Sequence, residues 1–300
     1  AYLATLHSHP DFLVNRWLKR WGRKETERTL SANNKYPPRY FRVNQNMIKI
    51  DDLYNRLEKE GIPFIIHKTM ENFFRLTESY PKTNEWDVLQ DGLIMVQDPA
   101  FEIASLCLAP KRGERILEIG CAPGGKLSRI HEMVGGDAEI VGIDSCEERL
   151  ALTHDNLKRL KIDNITLYLA DGRDFNPKEK FDKVLVDPPC SSLGVIRRHS
   201  EIRWLKNESD INRLANYQRT IAFNAMSLLK PGGTLVWSTC TTEPEENEEI
   251  VKYILSFEEF KLVSFFDESI SDVRNKPFIQ PLTGLLDMDG AFCAVLNKIV

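Results

Sequence analysis

Glu114-Arg115-Ile116-Leu117-Glu118-Ile119-Gly120-Cys121-Ala122-Pro123-Gly124-Gly125-Lys126 is the stretch that decides how the rest of the chain is read. Its first part, rich in Ile and Leu, has the length of a buried strand and stops at Gly120. The turn that follows is made of small residues and a proline, so the backbone can pass close to a ligand. Helical spacing resumes at Lys126, and the first N–H groups of a helix then face whatever the turn holds. Strand, small-residue turn and helix in that order open an α/β nucleoside-binding unit. Alone, such a turn is a weak sign, because a purely structural tight turn explains it nearly as often.

Downstream, apolar runs alternate with helical stretches. AEIVGID (138–144), ITLYLA (165–170), DKVLVD (182–187) and TLVWST (234–239) read as buried strands. Helices are predicted around 126–134, 147–160, 211–229 and 245–255, the second opened by a capping box over Ser145-Cys146-Glu147-Glu148. This alternation predicts an α/β fold, a mostly parallel sheet covered on both faces. Asp144 ends the second strand, where a carboxylate accepts both hydroxyls of a ribose. Asp171 ends the third, where it meets an adenine edge. No glycine pattern supplies a diphosphate cradle, so a sulfonium nucleoside fits better than a dinucleotide.

Upstream, residues 10–22 (PDFLVNRWLKRWG) predict an amphipathic helix that stops at Gly22. Asn33-Asn34 and Pro37-Pro38 mark a break. RYFRVN (39–44) reads as a strand, Asp51–Glu60 as a helix, and PFIIHK (63–68) and FFRLTES (73–79) as further strands. The expected division is a helical lead-in over 1–34, a small α+β domain over 35–92 and a catalytic domain over 93–300.

The bulk composition narrows the function classes. The 300 residues are 42% hydrophobic and 28% charged, an ordinary globular balance. No apolar run has the length of a membrane span, and the first twenty residues carry too many charges for a secretory signal. Net charge is −4, yet the first 49 residues hold ten Lys and Arg against three Asp and Glu. A basic arm on an acidic body fits a polyanion partner as well as it fits a solvated helix face. The six cysteines show no metal-ligand spacing, so no metal is expected. They read as free thiols in a reducing cytoplasm. A monomer is the default.

Two of those thiols stand where chemistry is expected. Asp187-Pro188-Pro189-Cys190 ends the fourth strand and Ser238-Thr239-Cys240 the fifth. In a parallel sheet both turns surface on the rim that carries the cofactor turn. Cytosine C5 is too weak a nucleophile to attack a methyl sulfonium. A thiolate added at C6 turns C5 into an enamine carbon that does attack, which splits one hard step into two. An acid must balance charge building at N3. The C5 proton then leaves and the thiol is eliminated, a step in which a second thiol can assist.

The segments GCAPGGK (120–126), DPPCSSLGVIRRHSEIRW (187–204) and STCTTEPEENEEIV (238–251) resemble the RNA 5-methylcytosine methyltransferases of the NOL1/NOP2/Sun family. Within it they are most similar to the Sun/Fmu/RsmB branch, which acts on 16S, small-subunit ribosomal RNA. HPDFLVNRW, RYFRVN, QDPA and MDGAF extend the likeness over most of the chain. The resemblance implies a class I, Rossmann-like S-adenosylmethionine-dependent fold with a small RRM-like domain before it. It implies Cys240 as nucleophile, Cys190 as the thiol that helps release product, Asp187 facing the cytosine amino group and N3, and Lys126 reaching into the site. Cys121, Ala122, Pro123, Gly124, Gly125 and Lys126 would line the methionine part of the cofactor. Asp187 would border it too, while Asp144 would hold the ribose, Arg149 support it, and Asp171 face the adenine. Arg197, Arg198 and His199 would form a basic stretch facing the substrate.

The chain departs from the family pattern at two places. Glu118 stands where an Asp is usual, with Gly120-Cys121 for Cys-Ala. Ser191-Ser192 stand where Ser-Gly is usual, which would narrow the base pocket. Ribosomal RNA is the first expected substrate and transfer RNA the second, with Arg16, Lys19, Arg20 and Arg23 contributing to RNA binding. A non-catalytic RNA-binding assembly factor is the rival from another class, and the presence of both cysteines speaks against it. An exocyclic-amine methyltransferase would carry an aromatic residue after Asp-Pro-Pro. A DNA cytosine enzyme would carry Pro-Cys-Gln.

Overall fold

The computed structural model describes residues 2–77, 85–265, 274–275 and 277–299. The lead-in folds because its apolar residues recur at helical spacing. Helices α1 (Tyr2–His7) and α2 (Asp11–Asn33) bury Leu3, Leu13, Val14, Trp17 and Leu30 against Leu193, Ile196 and Ile211. The helix does not end at Gly22, as the sequence predicts. Gly22, at φ 73°, kinks it, and Thr26, Thr29 and Leu30 are buried beyond the kink. Packing of that second half carries the helix past the glycine.

The small domain runs β1 (Tyr40–Val43), α3 (Ile50–Lys59), β2 (Phe64–Ile66), β3 (Phe73–Leu76), α4 (Asp87–Gln90) and β4 (Ile94–Val96). Its strands form an antiparallel sheet in the order β2-β3-β1-β4. Glu78 and Ser79, the end of the predicted strand 73–79, lie outside the described residues. The sheet extends beyond residue 92, where the sequence division ends the domain, because Gly92 (φ 76°) reverses the chain and returns β4 alongside β1. Phe41, Leu53, Leu57, Phe74, Trp86 and Ile94 fill the core. Buried Arg42 of β1 ties this domain to the next. It donates to Gln97 Oε1 at 2.9 Å and to Ser128 Oγ at 2.7 Å, and it pairs with Glu132.

The large domain continues with α5 (Glu102–Leu108), β5 (Arg115–Ile119), α6 (Gly125–Met133), β6 (Glu139–Asp144), α7 (Glu147–Arg159), β7 (Ile165–Leu169) and β8 (Phe181–Val186). Then follow α8 (Ile202–Leu205), α9 (Glu208–Ser227), β9 (Leu229–Thr239), α10 (Glu248–Leu255), β10 (Phe260–Val263), β11 (Arg274–Asn275), β12 (Phe278–Ile279) and β13 (Phe292–Lys298). Among the described residues the strands form one sheet in the order β11-β12-β13-β9-β8-β5-β6-β7, with β10 also on β13. Pairs from β7 to β9 are parallel and β13 is antiparallel to β9. Ile116, Ile140 and Leu185 pack towards α5 and α6, while Leu117, Ile143, Val186 and Trp237 pack towards α9 and α10. Burial on both faces explains why these strands read as unbroken apolar runs. The strand order reverses between β5 and β8, and a doubly wound sheet binds its ligand at the carboxyl ends of strands beside such a reversal.

Two predicted helix starts differ. Cys146 occupies the N-cap of α7 with no side-chain cap bond. The Asp144 carboxylate instead accepts the Cys146 N–H at 3.0 Å, so the capping box does not form. Helix α10 begins at Glu248 rather than 245, after a single 3-10 turn over Pro244–Glu246.

Candidate active site

The cofactor turn is shaped by contacts that exclude larger residues. Gly120 has φ 79°, and a Cβ there would stand 2.0 Å from Asp187 O. The Gly120 N–H donates to Ile143 O at 2.9 Å and the Asp187 N–H to Ile119 O at 2.9 Å, which knits the ends of β5, β6 and β8 together. Asp144 is buried, and its carboxylate accepts the Ala122 N–H at 3.3 Å. Arg149 donates to Ala122 O at 3.0 Å and lies 3.7 Å from Asp144, so it braces the turn from behind. Pro123 O accepts from Asn156 at 3.0 Å.

Between these strand ends lies a pocket lined among others by Gly120, Asp144, Arg149, Asp187 and Tyr217. A wider hollow between the lead-in and residues 197–204, lined by Tyr36, Arg203 and Trp204, holds none of the cofactor or thiol residues. Asp171 is at the end of β7 as expected, but its carboxylate is taken by Arg173 at 2.8 Å and by the Tyr217 hydroxyl at 3.3 Å. Its neighbours Ala170 and Gly172 line the pocket instead. The ion pair with Arg173 holds Asp171 below the usual carboxylate range. Nothing in the sequence singles out Tyr217, which sits inside an ordinary helical pattern.

Glu118 is buried, its Oε2 has no hydrogen-bond partner, and burial pushes its pKa up to about 8. The Lys126 charge opposes that rise, while Asp187 and Asp144 add to it. Raised that far, Glu118 is a neutral, protonated group near pH 7, and the pocket-lining acids are Asp144 and Asp187.

The two thiols meet. Cys190 Sγ and Cys240 Sγ are 3.2 Å apart and both side chains are partly exposed. The pair is electrostatically unequal. The Cys190 hydrogen bond, the Ser192 hydroxyl and the Lys126 charge draw the Cys240 thiol below its ordinary pKa, against burial and Asp187. The same hydrogen bond, burial, and the charges of Glu246 and Asp187 hold the Cys190 thiol well above it. The contact therefore favours ionisation of Cys240 over that of Cys190. Lys126, at the start of α6, forms an ion pair with Asp187 beside them.

Ser192 has φ 61°, in the left-handed region that favours glycine. Its Oγ lies 3.5 Å from Cys240 Sγ and accepts from the thiol. The sequence flags this position as a departure, yet gives no sign that the side chain faces the nucleophile.

Two expected RNA-facing groups are structural. Arg197 is buried, donating to Asp289 Oδ1 at 2.5 Å and lying 3.5 Å from Asp98. Arg198 bonds Asp98 at 2.7 Å and also pairs with Asp289. Burial first, and Asp289 second, push Asp98 up to about 6 against these cations. Only His199 of that stretch is exposed. In the basic arm, Arg16 donates to Glu243 at 2.6 Å and to Glu245 at 2.6 Å, and the Trp17 Nε1–H reaches Glu243 at 3.0 Å. Arg20 pairs with Glu248 and donates to Thr242 O. These two arginines dock the lead-in onto the segment after Cys240, because buried Glu243 demands a cation. Lys19, Arg23 and Lys24 remain on the exposed side.

A family profile described as 16S rRNA methyltransferase RsmB/F matches residues 105–297, and a ferredoxin-like domain profile from the same proteins matches residues 9–83. The ribosomal RNA small subunit methyltransferase B of Cronobacter sakazakii is 36% identical over 97% of the chain, which spans 66% of that relative's length. The protein of the same name from Salmonella paratyphi B is 37% identical, again across 97% of this chain and 66% of its own length. A crystal structure of a methyltransferase homolog from Pyrococcus horikoshii, 29% identical, superposes with a TM-score of 0.85 over 99% of this chain and 98% of its own. The structure of NSun6 from Pyrococcus horikoshii with SFG shares the fold, with a TM-score of 0.86 at 23% identity over 98% of this chain and 100% of its own.

Proposed function

This chain belongs to the 16S rRNA methyltransferase RsmB/F family, and we propose on that premise that it methylates C5 of a cytosine in small-subunit ribosomal RNA through a covalent bond between Cys240 and C6. The observation that carries the reading is the 3.2 Å contact between two oppositely biased thiols beside the Lys126–Asp187 pair. The pocket at the ends of β5 and β6, with Asp144 and Asp187 in its lining, is the place for S-adenosylmethionine, whose ammonium and sulfonium are both cationic. When bound, that cofactor supplies an electrophilic methyl carbon.

The chain's own groups do the rest. The Cys240 thiolate adds to C6, and the electron pair moves towards N3 and the ring carbonyl. Asp187 faces N3 and the exocyclic amine, and the Lys126 ammonium offsets the negative charge that builds there. Asp144 and the turn from Cys121 to Gly125 hold the nucleoside and its amino-acid tail.

Cys190 changes character during the reaction. Before addition, the adjacent thiolate charge keeps the proton on Cys190. Once Cys240 is bonded to C6 that charge is gone, and Cys190 loses its proton more readily. It is then placed to help remove the C5 proton, after which C5=C6 re-forms and Cys240 leaves. A flipped-out cytosine is required, since a stacked base shields C6. A reducing cytoplasm keeps both thiols free for this work.

The test uses ribosomal RNA transcripts with tritium at cytosine C5. One tritium released to water per methyl group incorporated is the expected result. Methyl incorporation with retained tritium would place the reaction on another atom and remove this reading.

A further inference from the structure

We infer that the dipeptide Glu246-Asn247 is a positioning clamp that sets the two thiol-bearing turns in register, Glu246 gripping both flanks of Cys190 and Asn247 both flanks of Cys240. The role assigned to the thiols rests on the proposed function; their placement does not.

Glu246 is fully buried, and among the described residues no cation pairs with it. A carboxylate in that position is costly unless its lone pairs are filled. Here Oε1 accepts the Ser191 N–H at 2.8 Å and Gln218 Nε2 at 2.9 Å, while Oε2 accepts the Ser191 hydroxyl. Gln218 also donates to Pro189 O at 2.8 Å. The residues before and after Cys190 are thus both tied to one carboxylate, directly or through one amide. Three donors converge on Glu246; a glutamine would keep one oxygen for the two N–H groups but turn an NH2 towards the Ser191 hydroxyl, which would have to reverse its bond to Thr241.

Asn247 does the same for the other turn. It stands at the N-cap of α10, where an asparagine normally accepts a backbone N–H of its own helix. It makes no such bond. Its Oδ1 instead accepts the Thr239 hydroxyl at 2.6 Å, and its Nδ2 donates to Thr241 O at 3.0 Å. Thr239 and Thr241 are the two neighbours of Cys240. One further bond joins the turns directly, between Ser191 Oγ and Thr241 Oγ1 at 2.6 Å. The indole N–H of buried Trp237 donates to Glu246 O at 3.0 Å and fixes the clamp to the sheet.

The consequence is chemical as well as geometric. The 3.2 Å sulfur contact is what makes one thiol acidic and the other reluctant. Neither turn is a regular element, so these side-chain bonds, with the Gly194 N–H to Cys240 O bond at 2.9 Å, hold that spacing to the few tenths of an ångström a hydrogen bond tolerates. Glu246 and Asn247 touch no reacting atom; they act through Cys190 and Cys240.

The experiment is site-resolved alkylation with iodoacetamide, read by mass spectrometry between pH 5 and 9 on the full chain without RNA. In the unsubstituted chain Cys240 should react about tenfold faster than Cys190 at neutral pH. In Glu246→Gln and Asn247→Ala that ratio should fall towards one, with the Cys240 pH midpoint moving up. Unchanged S-adenosylhomocysteine binding verifies the fold. Thr241→Val, which removes the bond between the turns and a weaker one from the Glu243 N–H, carries the test should either variant fail to fold, with a smaller fall of about threefold expected. Ratios that stay within twofold of the unsubstituted value in folded variants overturn the clamp, as does an unsubstituted chain whose thiols react alike. Since no RNA is present, loss of the methylation reading leaves this result standing, and the reverse also holds.

Discussion

The rim that carries Cys190 and Cys240 and the basic lead-in look equally suggestive as strings of letters, but they fold to opposite ends. At the rim, each reactive group stays where its turn puts it, partly exposed and in contact with the other. In the lead-in, Arg16 and Arg20 are drawn into an acidic segment and hold two parts of the molecule together. A motif at a strand end is a local statement about geometry. A count of charges says nothing of where the counter-charges will be.

The contrast can be broken first at Arg16. Arg16→Ala leaves Glu243 buried without its cation, and a loss of about 3 kcal/mol in unfolding free energy is expected by denaturant titration. A loss below about 0.5 kcal/mol would return Arg16 to the surface class. The exposed lysines and arginines should behave differently. Lys19→Ala together with Arg23→Ala should leave stability nearly unchanged and lower the salt slope of RNA binding by about one for each phosphate the arm no longer neutralises. An unchanged slope would remove the arm from the RNA surface altogether.

Glu118 sharpens the comparison from the rim side. Its folded value of about 8 lies above the usual carboxyl range, so the folded state holds a proton that the unfolded chain releases. The stability this group contributes is present at low pH and is lost as pH rises through that folded value. Glu118→Gln should flatten the corresponding part of the pH–stability curve of the unliganded protein, by about 2 kcal/mol between pH 5 and 8. Parallel curves for the two proteins would mean that Glu118 is ionised and partnered.

Ser192 gives the smallest effect. Ser192→Gly relieves a left-handed backbone and removes a hydrogen bond to the nucleophile. A stability gain of under about 1 kcal/mol should accompany a rise in the Cys240 alkylation midpoint. A fall in that midpoint would contradict the contact.

Much of the sheet was legible, since both faces of each parallel strand are covered and Ile116, Val141 and Val184 sit in unbroken apolar runs. The turns at Gly120, Cys190 and Cys240 were legible for a related reason: each directly follows such a run. The partners were not. Arg16 meets Glu243 across 227 positions, and Arg198 meets Asp98 across 100. Tyr217 and Gln218 lie within a helical pattern, and Glu246 and Asn247 lie at the start of the helix predicted around 245–255, with nothing to mark their partners. Gly22 misled because glycine permits a stop without imposing one, and the burial of Thr29 and Leu30 decided the matter.

The most direct measurement is covalent trapping on unmodified small-subunit ribosomal RNA, with S-adenosylmethionine present, on a denaturing gel. Cys190→Ala should give a slow band of RNA joined to protein, because Cys240 adds to C6 and is not released. Cys240→Ala should give none and transfer no methyl group. The band appearing with Cys240→Ala instead, or methylation surviving its loss, would contradict the assignment of Cys240 as the attacking thiol.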